Sequence, residues 1–366
     1  MHPSFSAYLD LTRFMAAVAV VLAHLAQHGF ITPAATHYIP DLGREAVMVF
    51  FVLSGYVIAY TTSAKKLSPK TYAIARASRI YSVALPSLLI GFISIYIYNA
   101  FNPTETSHYQ LDKFYIYIPF HSLFLGELWT LTERPPLLTP YWSLSYEVWY
   151  YILFGCFFFT KKVTCFALTS IVLLIMGYKL WLLLPIWLSG VLLFRLQDRI
   201  NMNSAMAGYC WAASFILLCL FKYSDLDIEF RNIGNAIWPF DHYPLGSADR
   251  FLSDYVVCLI VLINFYSAYH MSFQRLLKYQ KVIQNFAAYT FTLYLTHFIV
   301  MELWKKLLNH NPDNFIHIGL LVFCIGLTTY IIGQFTEQKR HLFTHAIEYL
   351  ISFTYRLLNK HVLKTH

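Results

Sequence analysis

The sequence predicts an all-α polytopic membrane protein of about ten transmembrane helices with both termini in the cytoplasm. Its composition is 58% hydrophobic and 18% aromatic, with only 13% charged residues and a mean hydropathy of +0.50, far from a soluble globular chain. Apolar stretches near the ~20 residues needed to cross a bilayer recur along its length. Basic residues gather in alternate connections, which sets the orientation.

The ten segments are 10–30, 44–63, 80–99, 142–160, 163–179, 181–195, 205–222, 251–268, 286–304 and 315–334. The first has no basic leader before it and no small-residue cleavage site behind it, so it is expected to stay as a helix. Lys65, Lys66, Lys70, Arg76 and Arg79, five cations without an acid, join the second to the third. Lys161 and Lys162 follow the fourth, Arg195 and Arg199 the sixth, Arg275, Lys278 and Lys281 the eighth, and Lys339 and Arg340 the tenth. Placing these connections inside leaves most acids outside, so the net charge of +8 reflects topology rather than nucleic-acid binding.

The stretch 114–126, with Pro119 and His121, reads as an interfacial or re-entrant piece. The stretches 100–141 and 223–250 are outer connections, rich in turn-forming proline, with Trp129, Trp238 and, just after the first stretch, Trp142 near the expected interface. They either cover an acceptor or only connect. A membrane domain, 1–340, is followed by a cytoplasmic amphipathic tail, 341–366, with Leu342, Ala346, Leu350 and Phe353 at helical spacing. There His341 and His345, one turn apart with Glu348 following, fit a surface helix better than a metal site. The six cysteines all lie in apolar segments without paired metal spacing and read as small apolar residues, so no metal is expected.

Arg13 and His24 lie in one apolar run and share a helix face, about 16 Å apart at ~1.5 Å per residue. Such a pair is costly against lipid and points to protein, water or substrate. His24, Glu147 and His297 each sit about six or seven residues from an outer segment end, some 9–11 Å deep, where imidazoles and a carboxylate could pass protons. Arg76 and Arg79 are three apart, neighbours on a helix, and either clamp a phosphate or only set topology and meet anionic lipid. Ser54 and Gly55 in the run Phe50 to Tyr56 favour close helix packing, and Ser54 lacks the elbow of a hydrolase nucleophile. Trp142 is placed to anchor at the interface, and Ser143 or Ser145 to cap the helix that carries Glu147. The sequence contains no HExxH, Walker loop or GxGxxG.

Taken together, these residues resemble the acyltransferase-3 family of integral membrane O-acyltransferases, from Tyr8 to about Glu337. The matching elements are Arg13 with His24, Phe50-Phe51 with Ser54-Gly55, Arg76 with Arg79, Trp142-Ser143-Leu144 with Glu147, and Tyr294-Leu295 with His297. Two departures are Ser82 where a proline is usual, and the lack of a proline after Glu337. The resemblance implies a cytoplasmic acyl-CoA donor, usually acetyl-CoA, and a hydroxyl acceptor of a cell-envelope glycan or lipid-linked saccharide at a bacterial inner membrane. It implies that Arg76 and Arg79 hold CoA phosphates and that Arg13 orients the donor. It makes His24 a general base or a transient acyl carrier, tuned by Glu147, with Ser54, Trp142, Ser143, Tyr294 and His297 as substrate-contacting or structural residues. Direct transfer and an acyl-imidazole are both open. The rival reading is a proton or solute transporter with a His/Glu relay, which asks for broken helices or inverted halves not visible in the sequence.

Overall fold

The computed structural model describes residues 2–101, 113–199, 201–240, 242–308 and 310–362. Part of the outer stretch, 102–112, and the end of the tail, 363–366, therefore lie outside the described residues. Every apolar segment is helical, and no strand occurs among the described residues. The first half runs α1 (Pro3–Gln27), α2 (Pro33–Thr36), α3 (Gly43–Ala64), α4 (Pro69–Phe101), α5 (Phe114–Ser122) and α6 (Tyr141–Phe159). The second runs α7 (Lys162–Met176), α8 (Tyr178–Leu196), α9 (Ser204–Tyr223), α10 (Leu226–Ile237), α11 (Phe251–His270), α12 (Gln274–Lys278), α13 (Gln280–Ala287), α14 (Thr290–Leu307), α15 (Phe315–Phe335) and α16 (Arg340–Val362).

Among the described residues, seven helices are long and apolar enough to cross a membrane, namely α1, α3, α4, α8, α9, α11 and α15. Counting α13 and α14 as one span bent by 47° gives eight. The other two of the ten segments fall short for different reasons. In α6 the serine and tyrosine hydroxyls and Glu147 dilute an otherwise sufficient length of 19 residues, whereas α7 is apolar but has only 15. The nine-residue α5, with Pro119 inside it, is too short to span, as its sequence implied.

Two expectations need correction. The stretch 223–250 is more than a connection: it contains α10, whose first turn carries Asp227 and Glu229, where the helix dipole favours acids. Segment 286–304 is not one helix but is broken between Ala287 and Thr290. Side chains brace the broken ends: the Arg13 guanidinium donates to the Ala287 carbonyl (3.0 Å), and the Thr292 N–H donates to the Glu337 carboxylate (3.1 Å). Irregular backbone at membrane depth persists only with such partners.

α3 is the central helix and is largely buried, whereas α9 and α15 turn large apolar side chains outward. It packs on α8, α1 and α11. Contact with α8 depends on two glycines, because a Cβ on Gly55 would run into the Trp187 carbonyl and one on Gly190 into the Val52 carbonyl. The close-packing role read for Gly55 is thus present, with Gly190 as its counterpart. α16 is not only a surface helix, since its start packs on α4.

Candidate active site

α1, α3, α4, α6, α14 and the turn after α15 surround a cavity of about 790 Å³. Arg13, Ser54, Arg76, Arg79, Ser143, Glu147, Tyr294 and Glu337 all line it, together with Tyr151. Residues up to 324 positions apart in sequence thus meet at one place, where cations and hydroxyls line the same cavity.

Glu147 anchors the hydroxyls. Its Oε1 accepts from Ser54 Oγ and from Tyr151 OH, both at 2.5 Å, and Ser54 in turn accepts from the Trp187 indole at 3.2 Å. Tyr151 follows Glu147 by four residues on α6, so helical spacing alone places the two side by side. Arg76 and Arg79 of α4 also line the cavity, the Arg76 guanidinium 5.8 Å from the centre of the Tyr151 ring. Among the described residues, neither has a carboxylate within ion-pair distance. Arg13 does, weakly, with Asp10 at 3.9 Å. The Glu337 carboxylate, outside the spans, has its pKa raised by burial, against the Thr292 hydrogen bonds and the positive charges of Arg13 and Arg79.

His24 and His297 meet as the depth comparison proposed, with His24 Nδ1 2.9 Å from His297 Nε2. Glu147 does not join them, because equal depth fixes height in a bundle but not the direction a side chain faces. The hydrogen bonds set the tautomers of the neutral pair. His297 Nδ1 lies 2.8 Å from the Leu293 carbonyl, which can only accept, so Nδ1 carries the proton. Its Nε2 must then accept from His24 Nδ1–H, which leaves the lone pair on His24 Nε2. A fixed chain of carbonyl, imidazole and imidazole thus orients a base. Tyr294, on the cavity wall, precedes His297 by three residues on α14, so about 4.5 Å of helix rise separates cavity from pair.

Trp142 is half-buried, with the Arg44 guanidinium 4.7 Å above its ring and Tyr146 edge-on. Ser143 plays a part different from the one expected. α6 starts at Tyr141, so Ser143 is already inside the first turn; it bonds back to the Pro140 carbonyl (3.2 Å) and to Tyr294 OH (2.7 Å). Neither it nor Ser145 caps the helix. Sequence reasoning missed Thr292, which had no signal beyond the broken segment, and Arg340, which had been counted only as a topology charge. Among the described residues no group of three His, Cys, Asp or Glu could hold a metal ion, His341, His345 and Glu348 included.

The sequence is similar to those of known proteins. The family model described as an acyltransferase domain matches residues 6–334. The chain belongs to the acyltransferase-3 family. It is 33% identical over 150 residues to "Acyltransferase MdmB" of Streptomyces mycarofaciens, covering 39% of this chain and 36% of that protein. It is 30% identical over 151 residues to "Protein 2 in picA locus" of Rhizobium radiobacter, covering 38% of this chain and 75% of that protein. The match thus spans little over a third of the Streptomyces relative's length. No solved structure matches. Family membership and the apolar helices together make this a multi-pass membrane protein.

Proposed function

We propose that this chain moves an acyl group, acetyl in the first instance, from acyl-CoA on the cytoplasmic side of a bacterial inner membrane to a hydroxyl of a cell-envelope polysaccharide such as an O-antigen, capsule or exopolysaccharide. The observation that carries the proposal is the cavity that Arg76 and Arg79 line with Glu147, Ser54 and Tyr151, where, among the described residues, neither arginine has a carboxylate within ion-pair distance. Such cations suit the phosphates of a nucleotide-bearing donor. Arg13, beside them, orients that donor.

The base is His24 Nε2. It takes the proton of the acceptor hydroxyl as that oxygen attacks the thioester carbonyl; the C–O bond forms, the C–S bond breaks, and the CoA thiolate leaves with the proton. In the stepwise variant Nε2 itself attacks the carbonyl, the C–S bond breaks and the CoA thiolate leaves; the acceptor hydroxyl then attacks the acyl-imidazolium, the C–N bond breaks, and the hydroxyl proton passes to the freed Nε2 and on to the thiolate. In both variants His297 holds the His24 tautomer, and Glu147 orders Ser54 and Tyr151 rather than tuning His24.

One observation favours the transport reading, namely the broken span α13–α14. Family membership and the unpaired arginines weigh against it. The deciding measurement is acetyl-CoA-dependent labelling of envelope glycan in membranes. Wild type should label, whereas His24→Ala should fall by about 10²-fold or more, and Arg76→Ala should require more donor. Both variants labelling like wild type would overturn the assigned roles, and solute flux without acyl-CoA consumption would favour transport. Mass spectrometry of glycans from cells with and without the protein names the acceptor.

A further inference from the structure

We propose that the tail helix completes the donor site: Arg340, the first residue of α16, holds a phosphate of the acyl-CoA in a cleft against α4, with Lys70 and His341 beside it. The inference rests on the acyl-CoA reading above. Arg340 lies beyond residue 334, where the family match ends.

Arg340 is fixed in place by α4. Its Nη2 donates to the Ala75 carbonyl at 2.6 Å and its Nε to Ser78 Oγ at 3.3 Å. These bonds use two of the five guanidinium N–H groups and position the fork while leaving the others uncommitted among the described residues. Ala75 and Ser78 each immediately precede a cavity arginine, Arg76 and Arg79. Successive residues point ~100° apart around a helix, so three guanidinium groups surround one stretch of α4.

Among the described residues no carboxylate lies within ion-pair distance of any of the three. Glu337 is occupied with Thr292, and the first turn of α16 contains no acid. Burial first, then Arg79 and Arg76, lower the pKa of Arg340 to about 10, a sign of how closely the cations crowd. The cleft between α4 and α16, about 1040 Å³, is lined by Lys70, Ser78, Arg340, His341, Thr344 and Glu348. Glu348 is its one acid; Lys70, Arg340 and the hydroxyls of Ser78 and Thr344 are phosphate donors. CoA carries phosphate at more than one position, so cations on adjacent faces of α4 match one ligand better than two unrelated anions.

The test is equilibrium binding of acetyl-CoA and of phosphate-free S-acetylpantetheine to the full chain. It is run in nanodiscs of neutral lipid and of lipid with an anionic headgroup, for wild type, Arg340→Ala and Arg340→Lys. The expected result is that Arg340→Ala weakens acetyl-CoA about tenfold, as loss of one charge-assisted contact would. S-acetylpantetheine binding should not change, Arg340→Lys should recover part of the loss, and both lipids should give the same result. Unchanged acetyl-CoA binding by Arg340→Ala overturns the inference, as does an equal loss for both ligands. A loss seen only in anionic nanodiscs also overturns it, by assigning the cleft to a lipid phosphate. Wild type that binds neither ligand sinks the acyl-CoA reading itself, a result distinct from the others.

Discussion

The two ends of the bundle treat charge in opposite ways. Where α3, α8 and α11 begin, cations and acids are matched: Arg44 grips Asp254 through Nε at 2.9 Å and through Nη2, Lys179 faces Glu127 at 3.4 Å, and Lys222 sits between Glu45 (3.1 Å) and Asp227 (2.5 Å). Several of these groups are fully buried. Where α4 and α16 begin, Arg76, Arg79 and Arg340 have, among the described residues, no carboxylate within ion-pair distance. A buried charge needs a partner, so the first end is neutralised by the protein itself, and the second is where the proposed acyl-CoA would supply the anion.

The largest expected effect breaks the comparison at the matched end. Asp254→Ala strands the Arg44 guanidinium in a buried site, which should cost about 3–5 kcal/mol of stability. It should also disturb Trp142, over which Arg44 lies. Arg79→Ala, at the unmatched end, strands no carboxylate and relieves repulsion, so its melting temperature should stay near that of wild type while donor binding falls. Thermal unfolding of both variants in detergent checks this, and an Arg79→Ala protein as unstable as Asp254→Ala would end the distinction.

That difference was only half legible in the sequence. Arg13, Arg76, Arg79, Glu147 and Tyr294 were named from position and resemblance, and they do meet in one cavity. Periodicity also found the helices, because apolar length is a property of each segment alone. Pairing is not such a property. Nothing local in Arg44 distinguishes a cation that will pair with Asp254, 210 residues away, from Arg79, which forms no ion pair among the described residues. The same limit explains why His24, Glu147 and His297 were grouped by depth although Glu147 bonds Ser54 instead. The break after Ala287 escaped for a related reason: its braces, Arg13 and Glu337, come from opposite ends of the chain.

A middle-sized effect sharpens the view of the cavity wall. Tyr151→Phe removes one of the two hydroxyl donors on Glu147 Oε1 and leaves the ring under Arg76. It should cost about 0.5–1.5 kcal/mol in stability if the bond is structural. If Glu147 orders the site for transfer, the variant should also lose turnover at saturating acetyl-CoA, with the donor KM little changed. A variant that changes KM alone would move Tyr151 from the transfer side of the cavity to the donor side.

The smallest effect concerns Glu337, an acid that lines the cavity with Arg76 and Arg79. Glu337→Gln keeps an oxygen to accept from Thr292, so the brace on the broken span survives and the loss of fold stability should be slight. What it removes is a titration. Burial raises the Glu337 pKa despite the Thr292 bonds, Arg13 and Arg79, so the folded chain holds a proton there at pH values where the unfolded chain has released it. Stability then falls as pH rises from the ordinary glutamate range through the raised value, because the unfolded state binds fewer protons over that interval. Wild type should show this decline in melting temperature and Glu337→Gln should lack it. Bound acyl-CoA should leave the decline in place or deepen it, since donor phosphates near Arg79 offset the cation that favours the carboxylate. A decline that persists in Glu337→Gln belongs to another acid and would detach Glu337 from the electrostatics of the donor end.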